Sequence, residues 1–271
     1  MIDQLGRRVA VPAVPAVPRR IVSLCPSTTE TVIALAGADR LVGRTAYCTR
    51  PADTVAAIAE VGGTKTVDVD AVARLNPDLI VSVREENDRS QIDALAQRFA
   101  TIVLDPIDID TMLAAVRLIG QAVGQAAAGA DLAQQIDQAL SRLAAAGQQR
   151  VLYLIWRKPF MAAGAGTYID ALLRRLGLLN AAAQLPGRYP ALTAASITAV
   201  RPAIVLAASE PFPFKAKHLV ELEAVFGCPA LLVDGEAFGW HGVRLLQAVT
   251  ILRDTVRDIA ARTAAAPVSE F

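Results

Sequence analysis

Six short aliphatic runs constrain this chain more than any other feature: Arg20 to Leu24, Leu79 to Val83, Thr101 to Leu104, Val151 to Ile155, Ile204 to Ala207 and Ala230 to Val233. Each is rich in β-branched residues and too short to bury a helix face. Stretches with helical spacing separate them. Strands covered on both faces read as continuous apolar runs, and their alternation with helices is the pattern of βαβ units around a parallel sheet. An α/β class follows.

The middle of the chain breaks the alternation. Ile109, Met112, Leu113, Val116, Ile119 and Val123 keep helical spacing up to Gly124, and Leu132, Ile136, Leu140 and Leu143 carry a second helical pattern on to Gly147 with no strand between. The spacing predicts one continuous helix over 126–146, roughly 30 Å long at 1.5 Å per residue, which is long enough to serve as a strut. The expected organisation is an N-terminal lobe over 1–124, a linking backbone helix over 125–147 and a C-terminal lobe over 148–271.

The two halves also resemble each other. The segment from Val72 to Val81 lies on that from Ile197 to Leu206 with Pro77 over Pro202, each a short helix, a proline stop and a buried strand. The same alignment sets Glu85 over Glu210, just beyond the ends of their strands. Open α/β sheets bind ligands at that edge. Two such lobes would point both carboxylates into one shared crevice.

Composition excludes several partners. Lys and Arg total 27 against 26 for Asp and Glu, so a net charge of +1 gives no field to gather nucleic acid or anionic lipid. No apolar run approaches the ~20 residues needed to cross a bilayer. Cys25, Cys48 and Cys228 lack CxxC spacing, so neither a zinc knuckle nor a disulfide framework is expected. The start, Met1 to Arg8, lacks the apolar stretch and cleavage site of a secretory signal. The expected location is periplasmic if a leader has been removed and cytoplasmic otherwise. No GxSxG, Walker A or HExxH motif is present, so no catalytic residue is named and no enzyme activity is expected.

The polar clusters that follow the strands carry the candidate ligand groups. Ser27 and Glu30 have capping-box spacing at the start of a helix, with Ser27 as cap and Glu30 reaching back, while the free N–H groups of that turn could hold an anionic or carbonyl group; a direct role for Ser27 or Thr28 is equally open. Tyr47 could close the core or present a flat face. Glu85 and Asn87 stand out from the charged run Arg84 to Arg89 by their place at a strand end. Trp156 and Phe160 flank Arg157 and Lys158 beyond a strand and should be partly exposed, as stacking aromatics must be. Thr167 is expected to cap the next helix. Phe212, between prolines, and Glu236 to Trp240, between glycines, suit a pocket lining. His241 either starts the last helix or offers an axial nitrogen to a ligand's metal. Only His218 and His241 are available as imidazole donors, which disfavours a receptor for free metal ions.

Several of these segments resemble a family. Arg20 to Glu30, Leu41 to Gly43, Tyr47, Leu75 to Val81, Ile155 to Phe160, Thr167 to Ile169, Ser209 to Lys215 and Val233 to Glu236 are similar to the class III substrate-binding proteins of ABC transporters, the helical-backbone metal receptors, and within them to the cobalamin-binding group. The likeness spans nearly the whole chain from Leu5 on. It implies two Rossmann-like α/β lobes with parallel sheets joined by a single long backbone helix, and a cleft that takes cobalamin, a siderophore or haem with slight closure. It places Tyr47, Trp156 or Phe160, Tyr189 and the loop from Glu236 to Trp240 around a corrinoid. The resemblance implies a monomer with no cofactor of its own, whose ligand contains cobalt or iron. It also implies docking on an ABC permease through an acidic residue on each lobe. Asp70 stands at the first such position and Ala195 at the second, so half of that device is missing. The alternatives are a cytoplasmic carrier or sensor of the same chelate and a siderophore- or haem-binding protein.

Overall fold

The computed structural model describes residues 1–9, 17–143 and 147–265. The chain divides into two compact units, Met1–Pro106 with Asp110–Gln138 and His241–Leu246, and Ile107–Ile109 with Ala139–Trp240 and the described residues from Gln247 on.

The first unit holds β1 (Ile21–Ser23), β2 (Leu41–Arg44), β3 (Ala59–Glu60), β4 (Leu79–Val83) and β5 (Thr101–Leu104), all parallel in the order β3-β2-β1-β4-β5. Around them lie helices α1 (Pro26–Ala36), α2 (Ala52–Val55), α3 (Val69–Arg74), α4 (Arg89–Ala96) and α5 (Ile109–Ala122). Alternate residues of each strand face opposite sides. Ile21, Leu79, Val81, Ile102 and Leu104 pack with Val32 and Ile119 on one face, and Val22, Ile80 and Val103 pack with Val72 and Leu95 on the other. Both faces are covered, so the runs are apolar at most positions, with Ser23, Ser82 and Thr101 the buried polar exceptions in β1, β4 and β5, and each large side chain so buried contributes roughly 1.5–3 kcal/mol. The strand order reverses between β1 and β4, the switch point where such sheets open a crevice outside their carboxyl ends.

Helix α6 (Ala126–Ser141) follows α5 with no strand between, as the spacing predicts. It buries Leu132, Ala133, Ile136 and Leu140 and is about 24 Å long. Its last turn tightens when Leu143 N–H bonds to the Leu140 carbonyl, so the helix stops at Ser141 rather than 146. Residues 144–146 of the expected helix lie outside the described residues.

The second unit carries β6 (Arg150–Arg157), β7 (Phe160–Ala162), β8 (Leu179–Asn180), β9 (Ile204–Ala208) and β10 (Ala230–Val233), with helices α7 (Tyr168–Arg175), α8 (Ala194–Val200), α9 (Leu219–Phe226), α10 (Gly235–Gly239) and α11 (Arg244–Ala265). Its sheet runs β10-β9-β6-β7, with β8 also paired to β6. This corrects the expectation of parallel sheets throughout. β7 runs antiparallel to β6 because Lys158 and Pro159 reverse the chain and pair Arg157 with Phe160. Three residues are too short a run for a periodic pattern, so β7 left no signal. Thr167 caps α7, accepting the Asp170 N–H at 3.1 Å.

The internal alignment holds at the backbone. Asn76 and Arg201 precede the paired prolines and both are left-handed, with φ of 44° and 37°. In each half a short helix, this left-handed residue and the proline lead into a buried strand that ends two residues before Glu85 or Glu210.

Candidate functional site

In the first unit the carboxyl ends of β1, β2 and β4 meet at the switch point, and the polar side chains there are largely engaged with one another. Pro26 opens α1 at its first turn, but the cap position falls on Cys25, which gives no side-chain cap. The capping box expected of Ser27 and Glu30 does not form. Ser27 is buried and its Oγ lies 3.0 Å from His241 Nε2 and 3.4 Å from Cys25 Sγ. Glu30 instead accepts two bonds from Arg244, Nε at 2.8 Å and Nη2 at 2.5 Å. Val243 N–H donates to Thr31 Oγ1 at 3.2 Å. Residues His241 to Arg244 thus lie along α1, and Gly242, at φ 81°, faces Thr31 so closely that a Cβ would collide with its hydroxyl. A long-range fork–fork ion pair satisfies Glu30 better than a local reach-back, because both carboxylate oxygens are used.

The same segment engages both candidates on it. Ser27 is a packing hydroxyl with no exposed face, which speaks against the ligand role expected of it. His241 is buried, and desolvation lowers its pKa to about 4, so the imidazole is neutral near pH 7. Its Nε2 is occupied by Ser27, and no group of three or more metal-ligating side chains occurs among the described residues. Of the two roles open to His241, its Nε2 contact with Ser27 favours the one that packs the start of the last helix on α1.

Beside it, Thr28 Oγ1 contacts Ser23 Oγ at 2.8 Å, and Thr29 Oγ1 donates to Ser23 Oγ at 2.9 Å and to Cys48 Sγ at 3.1 Å. Burial pushes the Cys25 and Cys48 thiols up, so both are inert near pH 7. Asn87 is not a ligand group either. Its Nδ2 donates to the Leu24 and Thr64 carbonyls at 2.9 and 3.0 Å, and its Oδ1 accepts the Val83 N–H at 2.8 Å. It buckles three strand-end loops together. Glu85, two residues earlier, is half-buried and its carbonyl accepts from Lys65 Nζ. Tyr47, 63% exposed after β2, is the flat face this edge does present.

The second unit treats the equivalent edge differently. Trp156 stands 42% exposed at the end of β6, where a register shift between Leu154 and Trp156 re-aims the strand. Its ring meets Phe212 edge-on at 5.8 Å, and Phe212 meets Phe214 at 4.8 Å and His218 at 5.7 Å. The Phe212 N–H bonds to the Ile155 carbonyl, which ties the loop after β9 to β6. His218 Nδ1 accepts the Lys215 N–H at 3.0 Å, closing the turn under the ladder. Arg157 forks onto Glu221 Oε2 at 2.9 and 2.7 Å.

Glu210 and Glu236, both half-buried, lie beyond the adjacent strands β9 and β10. Gly235 packs against Glu210 with a would-be Cβ only 2.8 Å from its backbone nitrogen, so only glycine fits there. Tyr153 beneath them has its pKa raised by burial first and then by the charges of Glu210 and Asp234. Phe160 is half-buried against Phe226 at 5.7 Å, a core-edge contact rather than an open face. Tyr189 is half-buried in the loop whose Arg188 and Pro190 carbonyls accept from Gly164 and Ala162. Trp240 is only 8% exposed, because α10 folds its loop inward and sets Phe238 on Tyr153 at 5.3 Å. It does not present the face expected of it.

Asp70 and Ala195 are both exposed in the first turns of α3 and α8. Sequence reading missed Arg244, Phe214 and His218 as members of these clusters. Only aromatic density after Pro211 could have signalled the last two.

The chain matches the family described as "Periplasmic binding protein" over residues 21–230. It is similar to the vitamin B12-binding protein of Pectobacterium carotovorum subsp. carotovorum (strain PC1), with 22% identity over 240 residues that cover 86% of each chain. Among solved structures it is similar to a periplasmic heme-binding protein in complex with two hemes, with TM-score 0.77, 26% identity, and coverage of 89% of this chain and 98% of that one. The periplasmic vitamin B12 binding protein of Vibrio cholerae shares the fold, with TM-score 0.75, 19% identity and coverage of 89% and 98%. No helix among the described residues is long and apolar enough to cross a membrane.

Proposed function

The chain belongs to the periplasmic binding protein family, and from that premise we propose that it captures cobalamin or a related metal chelate, outside the cytoplasm, for an ABC-type uptake system. The observation that carries this reading is the half-exposed Trp156, set edge-on to Phe212 at the carboxyl end of β6. An indole held by strand and ladder is a rigid apolar platform with little rotamer freedom to lose on binding. Glu210 and Glu236 beyond β9 and β10 add acceptors for the amide or amine groups of a macrocycle's side chains. Tyr47 is an exposed ring at the strand ends of the first unit. The ligand brings the metal; the protein supplies stacking and polar contacts, and binds without catalysing.

Haem is the second reading. The exposed phenol of Tyr47 favours it, since tyrosine is an established axial ligand of haem iron. Titration against cobalamin, cobinamide, haem and ferric siderophores, followed by calorimetry, separates the readings. Saturable 1:1 binding of a corrinoid that Trp156→Ala weakens is the expected result. Binding of haem alone, lost in Tyr47→Phe, would move the assignment to haem. No binding of any of the four would overturn the proposal.

A further inference from the structure

His218 forms the buried end of the aromatic ladder, and its turn depends on its protonation state. Its Nδ1 accepts the Lys215 N–H at 3.0 Å, while its own backbone N–H donates to the Lys215 carbonyl at 2.8 Å. Nδ1 therefore carries no proton, and the hydrogen of the neutral ring sits on Nε2. These reciprocal bonds close the turn from Lys215 to His218. A protonated Nδ1 would point its hydrogen at the Lys215 N–H, donor against donor, and the turn would have to open.

The ring so fixed supports the phenylalanines. It meets Phe214 edge-on at 5.9 Å and Phe212 at 5.7 Å, and Phe212 in turn meets Trp156 edge-on at 5.8 Å. The imidazole thus reaches the exposed indole through a single intervening ring. The charged groups that face it come from β6, from its own turn and from α9: Arg157, Lys215 with Lys217, and Glu221. Glu221 is already taken by the Arg157 fork. Desolvation first, and then the charges of Arg157 and Lys217, hold the His218 pKa below its ordinary 6.5. The neutral ring prevails at pH 7, and acid adds a positive charge to a turn that already holds two lysines.

We propose that His218 is the positioning residue of the ligand platform: neutral, it holds Phe212 against Trp156, and protonated, it frees the indole and releases the bound chelate. The release rests on the chelate reading, whereas the hold on Trp156 does not.

The test uses the full chain between about pH 7.5 and pH 5, above the range in which His241 titrates. Acrylamide quenching of tryptophan fluorescence reads Trp156, because Trp240 is only 8% exposed, and Trp156→Phe should remove the quenchable signal. Quenching should rise by up to about twofold as pH falls, since Trp156 is 42% exposed at the start. Its midpoint should lie below 6.5 and coincide with the His218 ring-proton titration followed by NMR, which His241→Gln assigns in this chain of two histidines. His218→Asn keeps an acceptor for the Lys215 N–H but takes no proton, and should hold the neutral level throughout. His218→Ala, with circular dichroism confirming a folded protein, should show the acid level throughout. Cobalamin affinity should fall about threefold to tenfold across the step in the unmodified chain and stay flat in His218→Asn. If cobalamin binds at no pH while the step is present and absent from His218→Asn, the chelate reading fails and the positioning role stands. No step, a step that persists in His218→Asn, a midpoint apart from the His218 titration, or an affinity that ignores the step overturns the proposal.

Discussion

At the ends of equivalent strands, the first unit ties its polar side chains to one another and leaves Tyr47 standing alone in solvent, whereas the second sets its exposed Trp156 on a ladder of packed rings. Both halves use one backbone device, a short helix, a left-handed residue, a proline and a buried strand with a glutamate two residues beyond. In the first, Asn87 buckles the loops and His241 to Arg244 line α1. In the second, the loop after β9 is held by the aromatic ladder and one bond to β6, and Trp156 stays 42% exposed. A shared backbone does not impose a shared task. The first edge is built mainly from polar ties, and the second from packed rings that hold Trp156 open.

The largest expected effect tests those ties. Glu30→Ala removes a buried carboxylate that takes two bonds from the half-buried Arg244, and should cost about 3–5 kcal/mol in urea unfolding. Replacing both residues with leucine should recover most of that loss. A cost below about 1 kcal/mol for Glu30→Ala would remove the contrast between the two edges.

Acid should expose the same region. His241 titrates at about 4 when folded because burial disfavours its charged form, and near 6.5 when unfolded. The unfolded chain therefore takes the proton first, so the stability present above pH 6.5 is lost as pH falls through 4, by about 3 kcal/mol in all. His241→Gln keeps a partner for Ser27 and should remove that part of the slope when denaturation is compared at neutral and acid pH. An unchanged slope would show that the imidazole is open to solvent.

For the second unit the expectation is reversed, with binding moving more than stability. Trp156→Ala should weaken chelate binding by about 1–3 kcal/mol while stability changes by less than about 1 kcal/mol. Loss of stability with unchanged affinity would return Trp156 to the core.

The smallest effect concerns docking. Asp70 and Ala195 sit at equivalent exposed helix starts, only one of them charged. We expect weak association with a cobalamin permease, and expect Ala195→Glu to raise the association rate several-fold at low salt and less at high salt, as a rim charge does. Tight binding of the unmodified protein that Asp70→Ala leaves unchanged would place the contact on another surface.

Much of the fold was legible because it follows from local periodicity. Aliphatic runs such as Leu79 to Val83 are buried on both faces, and a proline at a fixed distance marks each repeat. The strands that escaped notice, β2, β3, β7 and β8, are two to four residues long: β2 is broken by Gly43 and ends on Arg44, and the others exist only through their neighbours. Trp156 was legible as exposed because charges follow it at the end of the apolar run, although β6 continues through it to Arg157. Trp240 was not, since nothing in its glycine-flanked segment tells that α10 turns it inward.

What the sequence by itself determined, then, is the α/β class, the internal repeat and the edge on which candidate ligand groups lie, because strand burial and turn chemistry are written in neighbouring residues. What only the tertiary structure decided is the partner of each polar group. Glu30 chose an arginine 214 positions away over the backbone beside it, and Ser27 a histidine equally distant. Local spacing offers a side chain its nearest bond, but a buried carboxylate gains more from two charge-assisted bonds, and folding alone brings that partner within reach.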